Sequence, residues 1–273
     1  MAAIDYEAPP PQTIRWTRLR IVGYLLTGIW IGIALAIIWN FIASYDPEFI
    51  GRYGPRMLGG LGTTLIIVGT SILLGAILSI PIAAARMSEN AMIGALAYAY
   101  VYFFRGTPLL AQVFLLYYGA GQFRPVLEDL GLWWFFREAI YCAIFAFTLN
   151  TAAYQAEIYR GAIQSIPRGQ REGAWALGIS DAVMFYKVIF PQAAIIALRP
   201  LGNEIILMLK GSAIASVITV FDLMGETRLA FSRSFDFQVY IWAALLYLAI
   251  VEVLRRCWDL LEARLTRHLR RDS

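Results

Sequence analysis

Long apolar stretches separated by short charged clusters set the plan of this 273-residue chain. No charge falls at residues 21–45 or 57–85, runs of 25 and 29 residues. A helix crossing the hydrocarbon layer of a bilayer needs about 20 predominantly apolar residues, so each run is long enough for one span. Further uncharged runs cover 91–104, 106–123, 139–156 and 237–251. The pattern predicts an all-α, polytopic membrane protein with six transmembrane helices. The first covers 21–43, a polar loop follows with Asp46, Pro47, Glu48, Arg52 and Pro55, and the second covers 57–85. A third stretch, 91–120, would be about 45 Å long as one helix, well beyond the hydrocarbon core. Arg105, Gly106, Thr107 and Pro108 predict where it breaks. Residues 122–137 read as a polar loop whose Trp133, Trp134, Phe135 and Phe136 suit an interfacial aromatic belt. The remaining spans are 138–159, 181–210 and 237–254, with 211–235 a mixed re-entrant or surface segment.

One long polar interruption stands out, residues 160–187. Pro167 and Gly169 open a turn, and a short helix fits 170–177. Gly178 is placed as the residue just past a helix end. Ser180 is placed to cap the next helix, with Asp181 favourable to its dipole. The result is a short helix that presents a surface rather than a pocket. Taken on local physics alone, a structured connecting loop fits the same residues.

Composition supports the membrane reading: 59% of residues are hydrophobic, 15% are charged, and the mean hydropathy is +0.61, whereas soluble domains carry about 25% charged residues. Two cysteines, Cys142 and Cys257, and one histidine, His268, leave no basis for a disulfide framework or a zinc site. The apolar run at 21–43 starts too far in and runs too long for a cleavable signal; before it, polar residues and Pro9, Pro10 and Pro11 suggest disorder. With six spans both termini share one side. That side collects Arg15, Arg18, Arg20, Arg86, Arg160, Arg168, Arg171, Lys187, Arg255, Arg256, Arg264, Arg267, Arg270 and Arg271, against Arg52, Arg56, Arg124, Arg137, Arg228 and Arg233 opposite. Fourteen against six places both termini in the cytoplasm by the positive-inside rule. The net charge of +4 therefore reads as topology, not as affinity for nucleic acid.

Ionisable residues inside a span are costly and mark functional candidates. Arg199 and Glu204 fall within the fifth span, about 18 Å and 25 Å along the helix from Lys187. Arg199 and Asn203 share a face, and Glu204 lies about 140° round from Arg199. These three either line a substrate path or make polar contacts between helices. Glu157, near the inner end of its span, suits an ion pair with Arg160.

Glu172-Gly173-Ala174, three residues, Gly178, nine residues, then Val188-Ile189-Phe190-Pro191 closely resembles the signature loop of ABC-transporter permease subunits. That family shows Glu-Ala-Ala and Ile-x-Leu-Pro at the same spacing, so Gly173, Val188 and Phe190 are departures. Phe104 to Gln112, Thr151 to Gly161, Ser165 to Gln170, Pro191-Gln192-Ala193 and Arg199 to Glu204 are similar to the polar amino-acid uptake branch, in particular to its histidine, arginine and opine permeases. The resemblance covers 57–260. It implies a five-helix type I importer core carrying one added N-terminal helix, with residues 1–20 as a cytoplasmic tail, 21–56 as the extra span and outer loop, 57–260 as the permease domain and 261–273 as a basic tail.

The resemblance further implies a coupling loop, 160–187, that docks on a separate ATPase through Pro167, Gly169, Glu172, Gly173, Ala174, Gly178 and Pro191. Arg199, Asn203 and Glu204 become candidates for the path, and Arg105, Gly106, Thr107 and Pro108 a structural motif that shapes the helix break. The implied partners are an ATP-binding cassette ATPase dimer, a second permease subunit (homologous or identical), a periplasmic solute-binding protein and the lipid bilayer of the bacterial inner membrane. The chain itself is expected to bind no cofactor and to be no enzyme. Its only lysines, Lys187 and Lys210, lack the glycine-rich context that cradles phosphates, so ATP and Mg belong on the ATPase. Gly211-Ser212-Ala213 stands where the branch commonly has Asp-Thr-Ser, which points to the divergent member of a heteromeric pair. The competing reading is a secondary amino-acid transporter driven by an ion gradient, whose sign is an internal repeat with paired broken helices; no convincing repeat is present.

Overall fold

The computed structural model describes residues 17–43 and 46–267. Pro9 to Pro11 and Arg15, together with His268, Arg270 and Arg271 of the basic tail, lie outside the described residues. Every described element is helical. The chain divides into two units, Met1–Ile50 and Gly51–Ser273. The first holds helix α1 (Arg18–Ala43), whose described side chains are all exposed, as suits a helix surrounded by lipid.

Helix α2 runs from Pro47 to Arg86, 40 residues without interruption. The polar loop expected before the second span is therefore the opening of this helix. The reason lies in Asp46-Pro47-Glu48: the Asp46 side chain accepts from the Glu48 backbone N–H at 2.9 Å, and proline is well suited to a first helical position, where no N–H is needed. Within the second unit, α2 buries Tyr53, Met57, Gly60, Thr64, Ile67, Val68, Ser71, Gly75, Ser79 and Ala83. Apart from the adjacent pair Ile67 and Val68, steps of three and four keep these on one stripe.

Helix α3 (Ala91–Gly106) starts on Asn90, whose side chain accepts from the backbone N–H groups of Met92 and Ile93. Helix α4 (Leu109–Gln122) follows at 105° to α3, so the chain breaks at the expected place. Short helices α5 (Arg124–Asp129) and α6 (Trp133–Phe136) occupy the segment expected as a loop. Helix α7 (Ala139–Gln164) is the centre of the second unit, with Ala143, Ala146, Ala152, Ala153 and Ala156 fully buried. Small side chains let neighbouring helices approach closely. Helix α8 (Arg168–Ala176) lies on the polar interruption. Helix α9 (181–211) comprises Asp181–Met184, a π-helical turn Phe185–Ile189 and Phe190–Gly211. A 3₁₀ segment, Ser212–Ile218, leads to α10 (Leu223–Ser234) and α11 (Gln238–Leu265). The sixth span thus continues helically through residues expected as a tail, braced by Glu252, Arg255 and Asp259.

Four described helices are long and apolar enough to cross a membrane: Arg18–Trp39, Pro47–Arg86, Asp181–Ile218 and Gln238–Leu265. The bent pair α3–α4 makes up to five. The remaining expected span, α7, falls outside that set because Asn150, Thr151 and Gln155 dilute its apolar run. All three are buried, facing protein instead of lipid.

The packing of α7 against α9, α3 and α4 encloses a core of Ile67, Val113, Phe147, Leu209 and Ile218. At the start of α10, the fully buried Asp222 accepts from the Gly225 N–H at 2.8 Å, and the Leu223 N–H donates to Thr64 Oγ1 at 3.0 Å. The second Asp222 carboxylate oxygen has no hydrogen-bond partner among the described residues. Burial pushes the Asp222 carboxyl up from 3.8 to about 6, against the pull of its backbone hydrogen bonds and the Arg228 charge. Between pH 4 and 6 the unfolded chain releases this proton while the native state keeps it, so the native state loses stability as pH rises. The loss levels off above about pH 6 at roughly 3 kcal/mol. Asp222→Asn removes the titration. Its melting temperature relative to the unmodified protein is expected to climb as pH rises from 4 to 6.5, whatever the constant offset of the substitution; a pH-independent difference would contradict the assignment.

Candidate functional site

Two regions concentrate polar chemistry, the surface of α8 and the buried contacts among α3, α7 and α9. Helix α8 is short, and burial of Ala174 fixes its orientation. Ala174 packs in a cluster with Ala162 near the end of α7, with Ile166 of the link that follows it, and with Met184, Ile189 and Ala193 from α9. Glu172 lies two residues before Ala174, about 200° away around the helix, and so faces outward. Arg168, Glu172 and Ala176 succeed one another at four-residue steps along this outer face, and all are exposed. Trp175 and Leu177 are also exposed, at 57% and 79%; a bulky apolar pair left open beside charged groups is the composition of a contact surface.

The end of α8 is closed by Gly178 at φ +69°. The Gly178 N–H donates to the Trp175 carbonyl at 2.9 Å and the Ile179 N–H to the Ala174 carbonyl at 3.0 Å. This pairing needs a left-handed residue after the helix, which glycine supplies without a Cβ clash. Trp175 Nε1 donates to Asp181 Oδ1 at 2.8 Å, tying the exit of α8 to the start of α9. Ser180 has the extended backbone of a cap, yet its side chain makes no capping hydrogen bond, so that expectation is corrected. Gly173, in place of the family's alanine, faces open space, since an added Cβ meets nothing within 4 Å. Pro167 sits just before α8 in extended geometry, Gly169 is in its first turn, and Pro191 is in the opening turn of Phe190–Gly211.

The break between α3 and α4 is sealed by buried amides. Pro108 has no N–H to offer the helix carbonyl of Phe104. Asn150 Nδ2 and Gln112 Nε2 donate to that carbonyl instead, each at 2.9 Å. Gln112 Nε2 also reaches Thr107 Oγ1 at 2.8 Å, and Asn150 Nδ2 donates to Gln112 Oε1 at 3.0 Å. Gly106 ends α3 and Thr107 caps it through an N–H bond to the Phe103 carbonyl. The Arg105 guanidinium sits 5.0 Å from the centre of the Tyr154 ring, within cation–π range.

The three polar residues expected on α9 divide. Arg199 Nε meets Glu262 Oε1 of α11 at 2.7 Å, just beside the Trp258 Nε1 hydrogen bond to the Leu198 carbonyl. Asn203 is exposed. Glu204 is buried, and Thr151 Oγ1 donates to it at 2.8 Å. Gln155 Nε2 in turn donates to Thr151 Oγ1 and to the Ile72 carbonyl of α2, both at 3.2 Å. Arg105 lies within electrostatic reach of Glu204. A cleft of about 380 Å³ lies beside this contact, lined by Arg105, Tyr154, Glu157, Ile158, Ile196 and Pro200 among others. At its end Glu157 takes the expected ion pair from Arg160 Nη2 at 2.7 Å and a second from Arg86 Nε at 2.9 Å.

The buried roles of Gln112, Asn150, Thr151, Gln155 and Asp222, and the Arg86 arm of the ion triad, escape sequence reasoning. Uncharged polar residues at the centre of an apolar helix were the available signal. No group of three or more potential metal ligands occurs among the described residues.

Comparison with known proteins gives a consistent picture. A family model described as binding-protein-dependent transport system inner membrane component matches residues 71–267. The nopaline transport system permease protein of Agrobacterium fabrum is 44% identical over 226 residues, 82% of this chain and 94% of that protein. The histidine/lysine/arginine/ornithine transport system permease protein of Salmonella typhimurium is 38% identical over 231 residues, 84% and 98% of the two chains. Among solved structures, an amino acid ABC transporter with histidines is 34% identical with a TM-score of 0.72, covering 81% of this chain and 99% of that one. The inward-facing methionine ABC transporter, at 17% identity and a TM-score of 0.60 over 81% of this chain and all of that one, shares the fold.

Proposed function

The chain belongs to the family of binding-protein-dependent transport system inner membrane components, and from that premise we propose that it forms part of the path of an ATP-driven importer for basic amino acids or opines. It is a multi-pass membrane permease subunit, not itself an enzyme, and its family works with an ATPase and a substrate-binding protein. In this proposal ATP and Mg bind on a separate ATPase dimer, a second permease completes the path, and both termini lie in the cytoplasm with α8.

The observation that carries the reading is α8 itself. It is fixed from below by Ala174 and open above along Arg168, Glu172 and Ala176. Because its packing partners are the ends of α7 and α9, a push on its outer face is transmitted directly to the two helices that flank the cleft. The basic substrate class is supported by the permease relatives. Arg105, a charged group of the cleft with no ion pair among the described residues, is the one available to a substrate carboxylate, whereas Glu157 is already held by two arginines. Glu204, held by Thr151, braces α9 against α7 beside the passage, and in this proposal the exposed Asn203 faces the second permease. Arg199, joined to Glu262, serves the α9–α11 contact.

The substrate class is tested by competition for arginine uptake in proteoliposomes holding the full transporter and its binding protein. Histidine, ornithine, octopine or nopaline is expected to compete, and competition by apolar amino acids alone would contradict the class. Arg105→Gln is expected to lower uptake about tenfold, as befits loss of one charge-assisted hydrogen bond, with ATPase association unchanged. Uptake at the unmodified rate would remove Arg105 from the path.

A further inference from the structure

Three arginines converge on one cavity far from the cleft. Arg52 and Arg56 stand one turn apart on α2 and Arg233 lies in the last turn of α10; with Tyr53 they line a cavity of about 180 Å³. The Arg52 guanidinium is 6.0 Å from the Tyr53 ring centre. No carboxylate lies within ion-pair distance of any of the three among the described residues, so the cavity they share gathers positive charge without a counter-charge.

Helix α2 fixes which face of the protein this is. Its far end, Arg86, joins Glu157 and Arg160 on the side of α8. Arg52 and Arg56 precede Arg86 by 34 and 30 residues in one unbroken helix, which is about 51 and 45 Å of rise. Both distances exceed the roughly 30 Å hydrocarbon core, so the cavity opens on the face opposite α8. Guanidinium groups grouped without a counter-charge repel one another, and an incoming carboxylate relieves that repulsion with paired hydrogen bonds. Arginine and tyrosine are also the residue types that dominate protein–protein hot spots.

We propose that Arg52, Arg56 and Arg233, with Tyr53, form the seat for acidic side chains of the substrate-binding protein. This rests on the importer reading above, because that reading supplies a protein partner on the face opposite the ATPase. The seat steers an acidic partner to the mouth of the permease and holds it in register.

The test uses the complete transporter in nanodiscs of phosphatidylcholine, with or without phosphatidylglycerol, titrated with its substrate-loaded binding protein at low and high salt. The variants are Arg52→Gln, Arg56→Gln, Arg233→Gln and the triple. The triple variant is expected to raise Kd by about tenfold or more and to flatten its salt dependence, while ATPase activity at saturating binding protein and the melting temperature stay at unmodified values. Unchanged Kd and salt slope in the triple variant would overturn the proposal. So would arginine-dependent retention of phosphatidylglycerol with Kd unchanged, which assigns the seat to lipid phosphate. Lowered substrate uptake with Kd unchanged would also overturn it, assigning the seat to the substrate's own carboxylate. If the unmodified transporter shows no stimulation by binding protein, the importer reading itself fails, independently of the arginines.

Discussion

Glu172→Lys is expected to cut ATP-driven uptake about a hundredfold while leaving the chain inserted in the membrane. The side chain points away from the buried Ala174 and contributes nothing to the packing of α8, so the substitution leaves the fold intact. Its effect falls on whatever meets the outer face. Disrupting a desolvated, hydrogen-bonded charge at an interface costs about 2–5 kcal/mol, and 1.4 kcal/mol is about tenfold. Co-purification of the ATPase and uptake by the same preparation read the two consequences separately. Unimpaired uptake with normal ATPase recovery would show that α8 does not couple the two subunits through Glu172.

Gly75→Val is expected to cost the fold heavily. A Cβ on Gly75 would stand 2.4 Å from Thr151 Cγ2, 3.2 Å from Gln155 Nε2 and 3.4 Å from the Ala152 backbone nitrogen. Side chains on one wall and backbone behind them leave α7 no local way to yield, so α2 and α7 must separate. Overpacking a tight interior costs about 1–3 kcal/mol, and this site falls at the upper end. The separation also pulls Thr151 from Glu204 and Gln155 from the Ile72 carbonyl. A melting temperature in detergent lowered by about 5–10 °C, with uptake lost, is the expected outcome. Gly75→Ala with unchanged stability would mean that the close approach of α2 to α7 is not as described.

Features written in short stretches of sequence were legible in advance. The break at Arg105 to Pro108, the short helix on the polar interruption and the left-handed Gly178 follow from local rules about proline, capping and glycine. The start of α2 was also locally coded, since Asp46-Pro47-Glu48 is a helix opening, but its charges disguised it as a loop. What escaped reading depends on contacts between distant segments. Asn150 reaches the Phe104 carbonyl across 46 positions, Arg86 reaches Glu157 across 71 and Leu223 reaches Thr64 across 159. Arg199 illustrates the same limit: its depth along α9 could be counted, but its partner Glu262 lies 63 residues on, in a segment expected as tail. The orientation of α8 likewise needed Ala174 to be seen packed against α7 and α9.

The central claim, that this permease works in an ATP-driven importer, is tested most directly by uptake into proteoliposomes holding the full transporter and its binding protein, with ion gradients collapsed by ionophores. Uptake is expected to require both ATP on the ATPase side and binding protein on the opposite side, and to persist without an ion gradient. Uptake that follows an imposed proton or sodium gradient in the absence of ATP would contradict it.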